Sequence, residues 1–312
     1  MLAILMKTLP FFAVIGLGYL AGRTKFFSEE ATAYLTKFVF YFALSAMLFG
    51  FAAQLDLGAV FSWSFVAAYL SASILVWGIV AGAAVLRGAS PAEAVVEAHC
   101  GVIGNVGFLG IPMLALLLGP AAVGPVLLVL AVDLIVFSSV LTMVITGLRE
   151  GKMSWGIVRI IGLGLLKNPM IVSVVLGLAY GASGWRLPQP AGEFLTLLGA
   201  AATPCALFAI GASLAGRSAE RLGVALWLSF AKLVLHPAAV AFAAFVLFPV
   251  EPFAAAVMVA AAALPVAGNV FILAQHFRIA PQRVSTAILV STLASVVSVT
   301  AVIALVTGTG SS

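Results

Sequence analysis

Two short stretches of otherwise apolar sequence combine asparagine with glycine and proline, at residues 101–113 and 263–271. Glycine costs about 1 kcal/mol and proline about 3 kcal/mol relative to alanine in a helix interior, so neither stretch favours a continuous helix. A helix broken at membrane depth leaves peptide N–H and C=O groups unpaired, which is tolerated where the backbone is buried in protein or lines a cavity. The candidate substrate-binding residues in these breaks are Gly104, Asn105, Gly107, Pro112, Pro265, Gly268 and Asn269.

The chemistry expected at such breaks is ion binding. The N-terminus of a half-helix presents free N–H groups and partial positive charge, which suits a carboxylate, whereas its C-terminus presents carbonyls that suit a cation. Asn105 and Asn269 can each donate and accept hydrogen bonds. We therefore expect them to contact an anionic substrate or to satisfy the broken backbone. The alternative is that glycine and proline only permit close packing and kinks, with the asparagines joining neighbouring helices.

Ionisable residues within apolar segments are expensive to bury and are usually functional. Asp133 lies midway along one segment and is the candidate proton or cation partner, with a structural hydrogen bond as its alternative. Lys232 could pair with Asp133, attract an anion, or extend to the membrane surface. His236, four residues after Lys232, is expected at the membrane interface.

A second group of ionisable residues precedes the first break. Glu93 and Glu97 are four residues apart and so share a helix face, and His99 follows them. Glu93 is expected at a solvated helix entry, whereas Glu97 and His99 are candidate charge or coupling partners. We expect no metal site and no cofactor, with H⁺ or Na⁺ as the possible coupling ions. Neither break carries paired aspartates, which argues against a sodium/proton exchanger that depends on adjacent carboxylates.

The composition places these residues in a membrane protein. The chain is 64% hydrophobic and 8% charged, whereas a soluble domain is about 25% charged. The net charge of +5 is therefore not interpreted as nucleic-acid binding. A spanning helix needs about 20 mostly apolar residues. This criterion predicts ten spans, at residues 3–22, 32–52, 60–86, 92–118, 121–148, 166–183, 192–215, 222–247, 252–276 and 283–306.

The distribution of basic residues predicts the orientation of the chain. Basic residues gather in cytoplasmic loops. The loops after odd-numbered spans, with Lys37, hold 12 of them, and the opposite side holds only Lys7 and Arg186. Both termini are therefore expected on the extracytoplasmic side. The 12 are Arg23, Lys25, Lys37, Arg87, Arg149, Lys152, Arg159, Lys167, Arg217, Arg221, Arg278 and Arg283.

The two halves of the chain repeat each other. Pro10, Gly18 and Gly22 recur at an offset of 159 as Pro169, Gly177 and Gly181. The Gly-Asn-Val sequences at 104–106 and 268–270 match at an offset of 164. Five spans per repeat force opposite orientations, which is the plan of secondary transporters with the binding site at the midplane. We therefore expect an all-helical membrane protein with repeats at 1–150 and 151–312, whose broken spans 4 and 9 cross.

Several motifs resemble those of the auxin efflux carrier family. Residues 105–112 (NVGFLGIP) resemble its fourth-helix crossover, and Asn269 with Leu264-Pro265 resembles its ninth helix. Residues 166–169, 203–214 and 232–237 resemble its sixth, seventh and eighth helices. The resemblance spans nearly the whole chain. One departure is Ser45, where family members usually carry proline, and it concerns the kink of the second span.

The resemblance implies a fold like that of the bile-acid symporters and of NhaA. Spans 1, 2, 6 and 7 would form a scaffold that dimerises, and spans 3–5 and 8–10 a transport domain that moves like an elevator. It also implies substrate contacts at Asn105 and Asn269, with crossover prolines at Pro112 and Pro265. The expected function is secondary transport of small organic anions, such as malonate-like dicarboxylates or auxin-like weak acids, across a bacterial inner membrane. A sodium-coupled carrier of the bile-acid type, a channel or a receptor are the alternatives.

Overall fold

The computed structural model describes residues 2–55, 58, 61–150, 155–185, 187–216 and 221–308. Within these ranges the chain is helical, and the helices are numbered in chain order. They are α1 (Leu2–Arg23), α2 (Glu29–Ala52), α3 (Trp63–Leu86), α4 (Pro91–Val102), α5 (Val106–Leu118), α6 (Pro120–Leu148), α7 (Trp155–Lys167), α8 (Pro169–Ala182), α9 (Gln189–Ala215), α10 (Leu222–Leu247), α11 (Pro252–Ala262), α12 (Gly268–Phe277) and α13 (Pro281–Gly308).

Six of these helices are long and apolar enough to cross a membrane: α2, α3, α6, α9, α10 and α13. An all-helical membrane protein is therefore confirmed for the described residues. The predicted segment at 166–183 corresponds to α8, which α7 precedes. Lys152, Arg186 and Arg217, used above to predict orientation, lie outside the described residues.

The predicted breaks in the fourth and ninth segments are present. The chain leaves helical geometry after Val102 and resumes it at Val106, and it does so again between Ala262 and Gly268. Ile103 has φ −80° and ψ 111°, and Ala267 has φ −74° and ψ 143°, so both residues are extended. The first break therefore separates α4 from α5, and the second separates α11 from α12.

Glycines allow two pairs of helices to approach closely. A Cβ atom added at Gly18 of α1 would lie 2.1 Å from the carbonyl oxygen of Phe208 in α9. One added at Gly177 of α8 would lie 2.8 Å from the carbonyl oxygen of Phe49 in α2. Gly177 is 159 residues after Gly18, and Phe208 is 159 residues after Phe49. The contact of α1 with α9 and the contact of α8 with α2 are therefore equivalent positions of the repeat.

A second pair of contacts obeys the same rule. A Cβ at Gly22 would lie 2.8 Å from the Ala212 carbonyl oxygen, and one at Gly181 would lie 2.9 Å from that of Ala53. Gly181 and Ala212 are again 159 residues after Gly22 and Ala53. Reciprocal contacts of this kind are what a two-fold relation between the halves requires. They extend the sequence match from matching residues to matching contacts.

Ser45 lies just after a wide turn of α2. The residues Val39–Ala43 form a π-helical turn, and the Ser45 hydroxyl donates to the Phe40 carbonyl oxygen at 3.1 Å. Wide turns of this type bend helices. The second span thus departs from regular α-helix without the proline that is usual there.

Candidate functional site

The two breaks lie against each other and pair through their backbones. The Asn105 amide donates to the Pro265 carbonyl oxygen at 2.8 Å, and the Ala267 amide donates to the Ile103 carbonyl oxygen at 3.1 Å. These bonds flank an antiparallel bridge between Gly104 and Val266. Two helices broken at separate places in the sequence thus share one short extended crossing, which is the contact that the paired breaks predicted.

The side chains of the two crossing asparagines do not serve to hold the helices together. Asn105 is 7% exposed, and its side-chain amide makes no hydrogen bond to the described residues, although its backbone N–H donates to Pro265. The Oδ1 atom of Asn269 is buried and likewise lacks a partner among the described residues. The alternative in which these asparagines join neighbouring helices is therefore not observed. Because buried polar groups in proteins are nearly always hydrogen-bonded, the two side chains have bonding capacity left for a ligand.

Free peptide groups accompany these side chains. The amides of Gly107 and Phe108 in α5, and those of Gly268 and Asn269 in α12, find no acceptor within the described parts of the chain. Gly268 is exposed, and a Cβ there would meet no atom within 4 Å. Helix N-termini with free amides attract anions. The crossing therefore presents an open, electropositive surface at the start of α12.

The remaining predicted binding residues have packing roles in the described structure. A Cβ at Gly107 would lie 2.5 Å from the Met170 side chain, and one at Gly104 would lie 3.3 Å from that of Lys232. Pro265 contributes its carbonyl to the crossing, whereas Pro112 lies in the first turn of the α-helical part of α5. These residues shape the crossing, and their contact with a substrate remains a prediction.

A buried polar cluster lies directly behind the crossing. Asp133 of α6 is 2% exposed, and its Oδ1 accepts a hydrogen bond of 2.8 Å from the Tyr69 hydroxyl of α3. Its Oδ2 is buried and accepts no hydrogen bond from the described part of the chain. Asp133 and Lys232 of α10 interact electrostatically. The alternative role of Asp133, a structural hydrogen bond to a neighbouring helix, is thus observed, and its role as a coupling residue stays a prediction.

Lys232 is fully buried and donates to protein groups. Its Nζ donates to the Ala262 carbonyl oxygen at the end of α11 and to His236 Nδ1 at 3.3 Å. An ammonium can only donate, so Nδ1 accepts and Nε2 carries the proton of a neutral imidazole. His236 Nε2 then donates to Ser73 Oγ at 2.9 Å. These hydrogen bonds link α3 to α10 and α10 to the C-terminal carbonyl of α11.

For α10, one prediction is wrong and one of three alternatives for Lys232 is not observed. Lys232 and His236 are both 0% exposed, so His236 does not lie at the interface as predicted, and Lys232 does not extend to the surface. The physical reason is that Ala262, Ser73 and Asp133 provide polar partners inside the protein. Sequence reasoning also missed Tyr69 and Ser73 as members of the cluster. Their spacing of four residues places two hydroxyls on one face of an apolar helix, which is the signal that could have found them.

Glu97 lies in a separate ion-pair network at the helix ends. Arg283 contacts Glu97 at 2.9 Å and Glu93 at 2.7 Å, and Arg87 also pairs with Glu97. Glu93 further closes the start of α4 by exchanging hydrogen bonds with Ser90. A surface cavity of about 190 Å³ beside this network is lined by Glu93, Arg221, Ala280, Pro281, Gln282 and Arg283. The structure does not bring Glu97 to Asp133.

His99 is buried on its own. It is 0% exposed, and its two ring nitrogens make no hydrogen bond to the described residues. Its carbonyl accepts from Ile103 at 2.9 Å, which ends α4 at the break. The described residues also contain no group of three or more His, Cys, Asp or Glu side chains placed to hold a metal ion.

Comparison with known proteins shows the family of this chain. Residues 3–303 match the family described as "Membrane transport protein", which is the auxin efflux carrier family. The chain belongs to this family. A protein from Rhizobium meliloti (strain 1021), named "Putative malonate transporter", is 31% identical to this chain over 301 residues. The match covers 96% of this chain and 94% of that protein. Membership in the auxin efflux carrier family indicates a transporter rather than an enzyme, and the described crossing belongs to a transport protein.

Proposed function

We propose that the protein is a secondary transporter of small organic anions and that the crossing of the two breaks is its substrate site. The observation that carries the proposal is the coincidence of unused donors at one place. The Asn105 side-chain amide and the first-turn peptide N–H groups of α5 and α12 lie beside the crossing without partners in the described structure, and Asn269 Oδ1 likewise has no donor there. A carboxylate accepts several hydrogen bonds at once, so it matches this set of donors.

The substrate class that we propose is a small carboxylate of the malonate type. A relative that aligns over nearly all of both chains is named for malonate. Gly268 leaves open space beside the free amides, which favours a compact ligand over one that requires a deep apolar pocket. Auxin-like weak acids are the second class to be compared in the same assay.

The proposed mechanism is alternating access in a protein of ten spans, built from two inverted repeats. The reciprocal glycine contacts support the repeats, because the packing of α1 against α9 uses the same repeat positions as the packing of α8 against α2. We assign α1, α2, α8 and α9 to a scaffold that also forms a homodimer, and α3–α6 with α10–α13 to a transport domain. The transport domain would carry the crossing across a bacterial inner membrane, with both termini on the extracytoplasmic side.

Sodium coupling is not part of the proposal. In transporters with broken helices, the carbonyl end of a half-helix is the usual place for a coupling cation. Here the Lys232 ammonium donates to the Ala262 carbonyl at the end of α11, within a cluster that also holds Asp133. We propose that Lys232 supplies the positive charge that sodium would supply in a sodium-coupled carrier.

Uptake into proteoliposomes tests the proposal. Purified protein should take up labelled malonate in a saturable manner, and unlabelled malonate inside the vesicles should accelerate entry by counterflow. Voltage-clamp currents at channel rates would contradict a carrier. Binding without any flux would instead indicate a receptor.

A further inference from the structure

Among the described residues, the crossing has unused hydrogen-bond donors but no cation that lacks a protein partner. Lys232 brings an ammonium to it, with Nζ 3.3 Å from the position of a Cβ on Gly104. Its protons are directed to Ala262 and His236, and its charge acts on Asp133. Arg87 and Arg283 pair with Glu97, about two helical turns before the break. A ligand at the crossing therefore meets neutral dipoles and one cation, Lys232, whose charge is offset by that of Asp133.

Neutral dipoles suit one negative charge better than two. One carboxylate can accept from the Asn105 amide and from the first-turn peptides. A second carboxylate would be held at membrane depth without an opposite charge, which is costly. A protonated carboxyl avoids that cost, but its O–H then requires an acceptor.

The acceptor is present at the same crossing. Asn269 Oδ1 is buried and has no donor among the described residues. The backbones of Ala267 and Ile103 are hydrogen-bonded to each other. Asn269 lies two residues after Ala267, and Asn105 lies two residues after Ile103. The two asparagines thus flank one short crossing and offer complementary roles, a donor for a carboxylate and an acceptor for a carboxyl.

We propose that the crossing binds a dicarboxylic acid as its monoanion, with the protonated carboxyl donating to Asn269. The inference rests on the proposed function and specifies the charge of its substrate. One proton then moves with each substrate molecule, bound to the substrate itself. Proton coupling would in that case need no titrating residue of the protein.

Calorimetric titration of the purified full-length protein tests this with three probes. Malonate loses its monoanion above its second ionisation, so its Kd should rise about tenfold per pH unit there, because only the monoanion fraction binds. Malonamate keeps one carboxylate and an N–H donor at every pH, so its Kd should stay constant. Monomethyl malonate keeps one carboxylate without a donor, so it should bind about tenfold or more weakly than malonamate, since Asn269 Oδ1 stays unpaired.

Malonamate also controls for titration of the protein. The titratable and charged groups on the elements packed around the crossing are Lys7, Tyr19, Arg23, Tyr69, Glu93, Glu97, His99, Cys100, Asp133, Glu193, Lys232, His236, His276 and Arg283. A Kd that rises with pH equally for malonate and malonamate would assign the proton to one of these groups and overturn the inference. Asn269→Leu and Asn269→Ala should both remove the preference for malonamate over the ester.

The opposite charge state gives a distinct result. A malonate Kd that stays constant or falls above the second ionisation, with malonamate binding weakly, would show that the dianion binds and would overturn the inference alone. Failure of all three probes to bind at every pH would contradict the proposed malonate-type substrate and the inference together.

Discussion

Two polar regions meet at the crossing, and they differ in how their hydrogen bonds are used. Behind the crossing, Lys232, His236 and Tyr69 direct their donors to protein groups. At the crossing itself, the side-chain amide of Asn105 and the side-chain oxygen of Asn269 have no partners in the described structure. The first region is a support that holds α3, α6, α10 and α11 together. The second is a surface with bonding capacity for a ligand.

A polar residue inside a membrane protein can therefore have one of two roles, structural support or ligand binding. Charge alone does not identify a binding site, because the most strongly charged buried residues here neutralise each other. Unused hydrogen-bonding capacity identifies it better. The variants below should therefore affect folding in the first region and binding in the second.

The largest effect is expected from Lys232→Met. It leaves the Asp133 carboxylate buried without its cation and the Ala262 carbonyl without its donor. Breaking a buried pair on one side costs about 3–5 kcal/mol, so the protein should lose much of its stability. Thermal unfolding in detergent measures this loss. The double variant Lys232→Met with Asp133→Asn should recover most of it, and wild-type stability in the single variant would place Lys232 outside the support.

Asn105→Ala should weaken binding while leaving the fold intact. A hydrogen bond to a charged group contributes about 1.5–3 kcal/mol, so the Kd for malonate should rise about tenfold or more. The melting temperature without ligand should hardly change, because the side chain has no partner in the described structure. Titration calorimetry gives the Kd, and an unaltered Kd in the folded variant would remove Asn105 from the site.

Gly18→Ala and Gly177→Ala should each destabilise the protein by about 1–3 kcal/mol, because a methyl group would overlap a facing carbonyl. Gly16→Ala is the matched control on the same helix, since a Cβ there meets nothing within 4 Å. Thermal unfolding compares the three. If Gly18→Ala melts like Gly16→Ala, the reciprocal contacts do not support the two halves as described.

The smallest effect is expected from exchanging sodium for choline. If Lys232 supplies the cation at the end of α11, the Kd for malonate should change less than about twofold, a difference under about 0.4 kcal/mol. Binding assays at constant ionic strength check this. Tighter binding in sodium that saturates with its concentration would contradict the proposed role of Lys232.

The sequence predicted the breaks and their meeting because glycine, proline and asparagine mark them and because they recur at matching positions. The helical segments followed from apolar runs. The sequence could not predict which side chains of a helix face the protein interior, because the helices are apolar on nearly all faces. His236 was therefore misplaced, Lys232 was left among three alternatives, and Glu97 was considered for a coupling role although it pairs with Arg87 and Arg283.

The reciprocal contacts illustrate the same limit. An offset of 159 relates Gly18 to Gly177 in the sequence, but only three-dimensional packing relates the carbonyls of Phe208 and Phe49. The substrate-contact role of Asn105 and Asn269 was predicted from residue type, and it stays a prediction. The structure adds the observation that the side-chain amide of Asn105 and the side-chain oxygen of Asn269 have no protein partner in the described residues.

A structure of the protein determined with bound malonate tests the central claim most directly. The account predicts ligand density at the crossing, within hydrogen-bond distance of the Asn105 and Asn269 amides and of the Gly268 peptide. Density in the cavity lined by Arg221 and Arg283, with the crossing empty at saturating malonate, would contradict it.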